Sequence, residues 1–458
     1  MKRTGMLALL LSFALLVTAC GQAAPMETDQ QKYLNNRLAA PEYPQMAPYP
    51  NEMSFVNEAT GEFDSEGFQG VYTAWRDDQQ KQHSQPQGYA EGLDAFFRES
   101  LPGFLAGMPG ENSVCSPLNL YMALSLLAEV THGQTRQQVL SALNAQSLEA
   151  LRTQAGHVWN AHYCADSASA CVLANSLWMD SAFVYQADTV NRLAEHYYAS
   201  AFQGDLGSPE MDAMLQDWIN EQTDGLLEEQ AGNIHMDPQT VLALASTIYY
   251  RAKWTSEFTE SENTEDVFHG PGGDSDATFM HAVRSDGSYY WGEDFGAVAL
   301  GLEDGSRMWL VLPDEGLTPE DILGSGHALG LILGDAYGYE NQKILRINLS
   351  VPKFDVVADR KMNDTLKALG ITDAFDPEKA DFSAILPEQA CWLDSVDHAA
   401  RVAIDETGVT AAAYTVMLTC GAAMPPEEVM DFTLDRPFLF VVASRDNLPL
   451  FAGVVNQP

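Results

Sequence analysis

The thiols and imidazoles are the side chains here with the most chemistry to offer. Six cysteines occur, at positions 20, 115, 164, 171, 391 and 420. Cys164 and Cys171 are close enough in sequence to close a small loop as a disulfide, if their backbone geometry allows it. His157 and His162 stand just upstream, so a metal site is the competing use. Their spacing fits no usual zinc pattern, in which ligands recur in fixed pairs. With Cys20 set aside, five cysteines remain, and an odd count in an exported chain leaves at least one free thiol. Catalytic arrangements are harder to find. The chain has no G-x-S-x-G elbow, no H-E-x-x-H helix and no P-loop. The glycine-spaced stretch from Gly324 to Gly330 has the wrong spacing for a dinucleotide fingerprint, and no clear strand precedes it. It reads as a surface turn. No carboxylate pair can be singled out among so many acids. The expectation is a protein that is not an enzyme and needs no cofactor or metal.

The charge balance excludes partners. There are 64 acidic against 24 basic residues, a net charge of -40. Such an excess repels nucleic acid and anionic lipid alike. The length, 458 residues with 46% hydrophobic, is enough to bury a large core.

The first twenty residues read as a targeting segment. Lys2 and Arg3 precede an apolar stretch from Leu7 to Val17, too short to span a bilayer comfortably. The run Val17-Thr18-Ala19-Cys20-Gly21 then resembles a bacterial lipobox. That resemblance implies cleavage before Cys20 and acylation of its thiol and new amine. The competing reading is an ordinary signal peptide with an incidental cysteine. Residues 1–19 are therefore expected as a lipoprotein signal peptide, and the protein as exported and lipid-anchored at a bacterial membrane or cell surface. Without Lys2 and Arg3 the mature chain has 22 basic and 64 acidic residues, or -42. Residues 20–88 carry Pro25, Pro41, Pro44, Pro48, Pro50 and Pro86 among many Gln, Asn and Glu. No helical or strand period persists there, which predicts a largely disordered tether. Tyr43, Tyr49, Phe55, Tyr72 and Trp75 could dock locally.

The elements that must position any site begin near residue 89. Leu93, Phe96, Phe97 and Leu101 recur at helical spacing. Pro117 opens an apolar run to Val130, a buried helix with proline in its first turn. Helices are also expected over Arg136–Leu143, Val190–Phe202, Met211–Thr223 and Lys361–Leu369. Strands are expected over Val172–Met179, Val241–Trp254, Met308–Leu312 and Ile344–Val357, and within Trp392–Ile404 and Phe438–Val455. Helices dominate the first half and strands the second, an α+β pattern in one large domain without internal repeats.

Four stretches together resemble the serpin family. The most specific is Phe432-Thr433-Leu434-Asp435-Arg436-Pro437-Phe438-Leu439-Phe440, before an ending at Leu450-Phe451-Ala452-Gly453. Another is Asn112-Ser113-Val114-Cys115-Ser116-Pro117 with Gly133-Gln134-Thr135. A third is Ile219-Asn220 with Thr223 and Gly225, then Ile248 through Trp254 and Phe258. The last is Val351-Pro352-Lys353-Phe354, followed by Leu369 to Phe375 and Ala380-Asp381-Phe382-Ser383. Their order and spacing agree over residues 89–458. The resemblance implies a serpin fold: helices around a large central β-sheet, two further sheets, and an exposed reactive-centre loop at about 406–430. It also implies a monomeric inhibitor whose partner is a target serine protease. The protease cleaves the loop, which then inserts into the sheet as a new strand.

The hinge resembles that of inhibitory serpins. It runs Glu406, Thr407, Gly408, Val409, Thr410, Ala411, Ala412, Ala413, Tyr414, Thr415: an acid, a glycine, then small residues. By the family's parity Val409, Ala411, Ala413, Thr415 and Met417 face the core after insertion, and Tyr414 faces out. Val409 stands where Thr or Ser is commoner. Counting from Glu406 places the scissile bond at Ala422–Ala423, with Gly421 and Met424 as the flanks that a one-residue slip would involve. A small residue there suits elastase-like or subtilisin-like proteases and not trypsin-like ones. The family also puts Ser116, Asn119, Ser246 and His398 where the sheet opens, and Trp254 where the loop first enters. Asn119 and Ser246 exchange the residue types usual at those positions. We read them as a swapped donor–acceptor pair joined through His398. The alternative to inhibition is a non-inhibitory surface binding lipoprotein of the same fold.

Overall fold

A computed structural model describes residues 33, 35–57, 60–107, 110–334, 336–409 and 428–458. The described chain starts with a short strand, β1 (Arg37–Ala39), and a long helix, α1 (Ser65–His83). Then come α2 (Leu93–Leu105), β2 (Ser113–Cys115), α3 (Pro117–Val130), α4 (Gly133–Ala142) and α5 (Leu148–His162). A hairpin of β3 (Cys164–Ala165) and β4 (Ala170–Asp180) leads to α6 (Ala187–Tyr197) and β5 (Ala199–Gly204). Next are α7 (Pro209–Gln222), α8 (Glu228–Ala231) and the long strand β6 (Leu242–Lys253).

The second half is mostly strand. It contains β7 (Thr264–Gly270), β8 (Gly273–Trp291), β9 (Phe295–Gly301) and β10 (Arg307–Pro313), then α9 (Pro319–Ser325) and α10 (His327–Ile332). After β11 (Gln342–Pro352), β12 (Phe354–Lys361) and α11 (Asn363–Ala368) come β13 (Asp397–Ile404) and the two-residue β14 (Gly408–Val409). The chain finishes with β15 (Val429–Thr433), β16 (Phe438–Ala443) and β17 (Pro449–Val455).

One sheet runs β1-β5-β4-β6-β14-β13-β12, with β3 paired to β4. The other runs β15-β11-β8-β9-β10-β16-β17-β2, with β7 on β8. The two smaller sheets expected beside the central one are thus continuous. They share β8, whose 19 residues pair with β11 and β7 and also reach β9.

Helix α3 explains why both sheets hold together. Its sequence is apolar on nearly every side, and all its residues but Ala123 are buried. A helix without a polar face must be covered all round. Pro117 occupies its first turn, and the Ser116 hydroxyl accepts the orphan N–H of Asn119 at 3.2 Å. Beside it, every residue of strands β16 and β17 is buried. At Gly453 an added Cβ would lie 2.4 Å from the Phe440 ring, so only glycine lets that ring pack.

The segment expected as an unstructured tether as far as residue 88 is folded from Tyr33 onward. Aromatic residues outweigh its prolines. Tyr33 is buried against Phe202, 5.5 Å between centroids, and donates to Glu221 on α7 at 2.8 Å. β1 adds to the free edge of β5. Tyr43 packs 5.1 Å from Trp159 and 5.3 Å from Tyr163. The Tyr49 N–H donates to the Asp166 carbonyl at 2.7 Å, and Trp75 Nε1–H holds Ala47 O at 3.1 Å. Pro41, Pro44, Pro48, Pro50 and Pro86 sit outside the strands, where no ladder hydrogen bond is needed, so the strap crosses the surface without a regular period.

Other expectations shift locally. The helix read over Val190–Phe202 ends at Tyr197, and Tyr198, at φ 51°, turns the chain into β5. The Trp392–Ile404 strand begins only at Asp397. The Gly324–Gly330 stretch is the junction of α9 and α10, with Gly326 left-handed at φ 73°. Cys164 and Cys171 sit directly opposite each other across the β3–β4 hairpin, both as buried free thiols. His157 and His162 make separate hydrogen bonds, to Gln85 and to the Val158 carbonyl.

A folded strap has a protease-sensitivity signature. Limited proteolysis with a broad-specificity protease should leave a resistant fragment beginning near residue 33. Mass spectrometry showing early cuts spread over 40–88 would return this segment to a tether.

Candidate functional site

Strands β6 and β13 lie on either side of β14 and do not pair with each other among the described residues. β14 is only Gly408 and Val409. Gly408 pairs with Lys253, and Val409 pairs with Ala252 on one side and Ile404 on the other. Below that rung no described residue pairs with the inner edges of β6 and β13, and we call the interval between them the slot. Unpaired edges inside a sheet are a template for another strand.

The chain reaches the slot through a tight turn. The Asp405 carboxylate accepts from the N–H groups of Thr407 and Gly408, at 2.8 and 3.1 Å, and from the Thr407 hydroxyl at 2.6 Å. This side-chain cap reverses the chain from β13 into β14. At Gly408 a Cβ would fall 2.3 Å from the Ala252 carbonyl oxygen, so only glycine can take this seat. Val409 is buried, pointing into the core.

Glu406 is anchored outside the sheet. Partial burial opposes its charge, but Lys353 and Asn263 bind its carboxylate and hold it below the usual range. Its carbonyl accepts from the Phe258 N–H at 2.9 Å. Trp254 is buried over the same turn. Its backbone N–H binds the Thr407 carbonyl at 2.9 Å, and its indole N–H binds the Asp405 carbonyl at 2.9 Å. Asp405 and Lys353 were not singled out in the sequence. An acid two residues before the hinge Thr is an Asx-turn signal that could have been read.

Beneath the slot, the start of α3 grips both of its sides. Toward β6, the Asn119 Nδ2–H donates to the Ser246 carbonyl at 3.0 Å, and the Ser246 hydroxyl reaches Asn119 Oδ1. That hydroxyl also lies 2.7 Å from Asn175 Oδ1 on β4, so one proton serves two amide oxygens. Toward β13, the Ser116 backbone N–H donates to His398 Nε2 at 3.0 Å. The Ser116 hydroxyl donates to the Leu450 carbonyl at 2.6 Å. Asn119 and Ser246 therefore meet directly. His398 does not join them, contrary to the sequence reading, because its Nε2 is taken by Ser116. The helix end thus holds β6 by two hydrogen bonds to Ser246 and β13 by one to His398.

His398 must be neutral to accept that bond. Burial first, then the Arg360 guanidinium, push it from 6.5 down to about 4. The remaining expected site residues, Thr410, Ala411, Ala412, Ala413, Thr415, Gly421, Ala422, Ala423 and Met424, lie outside the described residues, as does Cys20.

The comparisons with known proteins point one way. Residues 100–458 match the family model described as Serpin (serine protease inhibitor). The human leukocyte elastase inhibitor is 26% identical over 377 residues, covering 79% of this chain and 98% of its own. An uncharacterized serpin-like protein of Thermococcus kodakarensis is 27% identical, covering 76% of this chain and 81% of its own. Among solved structures, the thermophilic serpin tengpin in its native state superposes with a TM-score of 0.72 at 25% identity. That match covers 82% of this chain and 95% of tengpin.

Two measurements follow from the α3 grip. Asn119→Ala should lower stability by ~1–2 kcal/mol, because the Ser246 carbonyl loses its partner. An unchanged melting point would remove the pair from the account. The pH dependence has a definite sign. Below pH 6.5 the unfolded imidazole of residue 398 binds a proton that the folded one refuses until about 4. Stability is therefore full above pH 6.5 and falls by up to ~3 kcal/mol as pH drops from 6.5 to 4. His162, pushed the same way by burial, adds to the slope. Urea titrations should show a flatter pH profile for His398→Gln than for the unaltered protein.

Proposed function

The chain belongs to the serpin family, and from that premise we propose that it inhibits serine proteases by serving as a sacrificial substrate. The observation that carries the reading is the split sheet, with Gly408 and Val409 already seated in its first rung.

The chemistry belongs to the protease. Its serine oxygen attacks the carbonyl carbon of Ala422, the bond to Ala423 breaks, and the Ala423 amine leaves with a proton. The loop up to Ala422 is then an ester on the protease, with a free end. Val409 through Ala422 is fourteen residues, or about 45 Å as a strand. β6 has 12 residues, or about 40 Å. The cut segment is long enough to fill the slot from end to end.

Filling the slot satisfies both edges at once. It adds backbone hydrogen bonds to β6 on one side and β13 on the other. Insertion drags the attached protease along the sheet, and its distortion stops hydrolysis of the ester. The small residues after Gly408 favour speed, since a bulky or proline residue would stall the ladder. Ala422 at the bond favours elastase-like or subtilisin-like targets, and the human relative is named as an inhibitor of elastase. The protein is further proposed to be exported and held at a bacterial membrane by acyl chains on Cys20, and to act as a monomer.

The test is a denaturing gel of the chain from residue 21 onward mixed with pancreatic elastase. A band at the summed mass, with a released fragment beginning at Ala423, is expected. Val409→Arg places a charge at a buried seat and should reduce the complex at least tenfold while the same bond is still cut. Cleavage of the unaltered protein without any complex would reject inhibition.

A further inference from the structure

We infer that the N-terminal strap anchors the domain to the lipid surface by the pole opposite the bait loop, on a leash of only twelve residues. This rests on the proposal that Cys20 is acylated.

The two poles can be placed from strand registers alone. At one end of the sheet, Val409 pairs with Ala252, and the neighbouring Arg251 pairs with Ala170 at the start of β4. The described hinge ends at this level. At the other end, the strap starts. Asn36 exchanges hydrogen bonds with Gln203, its N–H side chain at 3.0 Å and its carbonyl at 2.7 Å. Gln203 in turn pairs with Met179 near the end of β4. From Ala170 to Met179 is nine residues along one strand, or about 30 Å.

The strap's direction is equally fixed. From Tyr33 and Asn36 it climbs the β5 edge through Arg37–Ala39, passes Tyr43 on the Trp159 cluster, and reaches Asp166 with Tyr49. Asp166 lies in the β3–β4 turn, at the hinge end. The chain therefore joins the body at the far pole. Between Cys20 and Tyr33 lie residues 21–32, twelve in all. Fully extended they reach about 45 Å, and as a flexible coil about 20 Å. Were the segment free up to residue 88, its extended reach would be about 240 Å.

The consequence is an orientation. The hinge at Gly408 and Val409 lies at the pole away from the lipid, the side open to soluble proteases. β14 is antiparallel to β6, so a strand growing from it runs toward Leu242, which pairs with Met179. Insertion thus delivers the captured protease to the anchored pole. A protease of about 240 residues is about 45 Å across, the full reach of the leash. The protease would end against the lipid surface, away from the bulk solvent.

The experiment uses the full lipidated protein in zwitterionic vesicles carrying an energy acceptor on the headgroups. A Cys420→Ser background receives a donor dye at one of two exposed turn positions. Val184→Cys, 85% exposed, lies just past β4 at the anchored pole. Ser167→Cys lies in the β3–β4 turn at the loop pole. Transfer from position 184 should be at least twice that from position 167. Equal or reversed transfer in protein that floats with the vesicles would overturn the orientation and leave acylation standing. Protein that neither floats nor carries acyl mass on Cys20 would overturn the anchor itself, and this inference with it.

Discussion

A sheet in which β6 and β13 are joined, among the described residues, only through the two-residue β14 is the constraint on which the molecule depends. The inner edges of β6 and β13 carry donors and acceptors that only another strand can satisfy in full. β14 supplies one rung, through Gly408 and Val409. The rest of the fold must keep the two edges in place without closing them on each other. The start of α3 does this with very few bonds: Asn119 holds the Ser246 carbonyl on β6, and Ser116 holds His398 on β13. Because the two grips come from the cap and first turn of one helix, separating the strands must strain at least one of them.

The scaffold around that latch is rigid by comparison. Glu129, near the far end of α3, is buried and bound by Arg152 on α5, Arg192 on α6 and the Tyr197 hydroxyl. A buried carboxylate is tolerable only when its oxygens are fully engaged, and removing one partner would leave a costly charge. Three helices are thus fixed to one another behind the sheet. The strap from Tyr33 to His83 adds to this. It ties α7 through Tyr33, the β5 edge through β1, and α5 through the Tyr43 contacts.

Much of this could be read in the sequence, for identifiable reasons. The Gly408 seat and the small residues beside it are visible because close backbone approach tolerates few residue types. The α3 helix announces itself through Ser116-Pro117 and an unbroken apolar run. The β16–β17 core follows from the Phe438 to Val455 pattern. The strap was not legible, because its stability comes from scattered aromatics meeting distant partners and not from any period. Tyr43 finds Trp159 more than a hundred residues away. The end of α6 was missed because only the left-handed Tyr198 breaks an otherwise helical pattern. The Asn119–Ser246 exchange was visible as a pair of residue types. The proton shared with Asn175, and the separate engagement of His398, needed coordinates.

The central claim is that the slot is waiting for the loop, and calorimetry of the protein before and after one cut in the loop tests it most directly. Insertion satisfies two strand edges with backbone hydrogen bonds worth ~1 kcal/mol each, so the cut protein should melt roughly 20 °C or more above the intact one. A cut chain that melts at the same temperature or lower would mean that the loop stays outside, and that the split between β6 and β13 is not a receiving site.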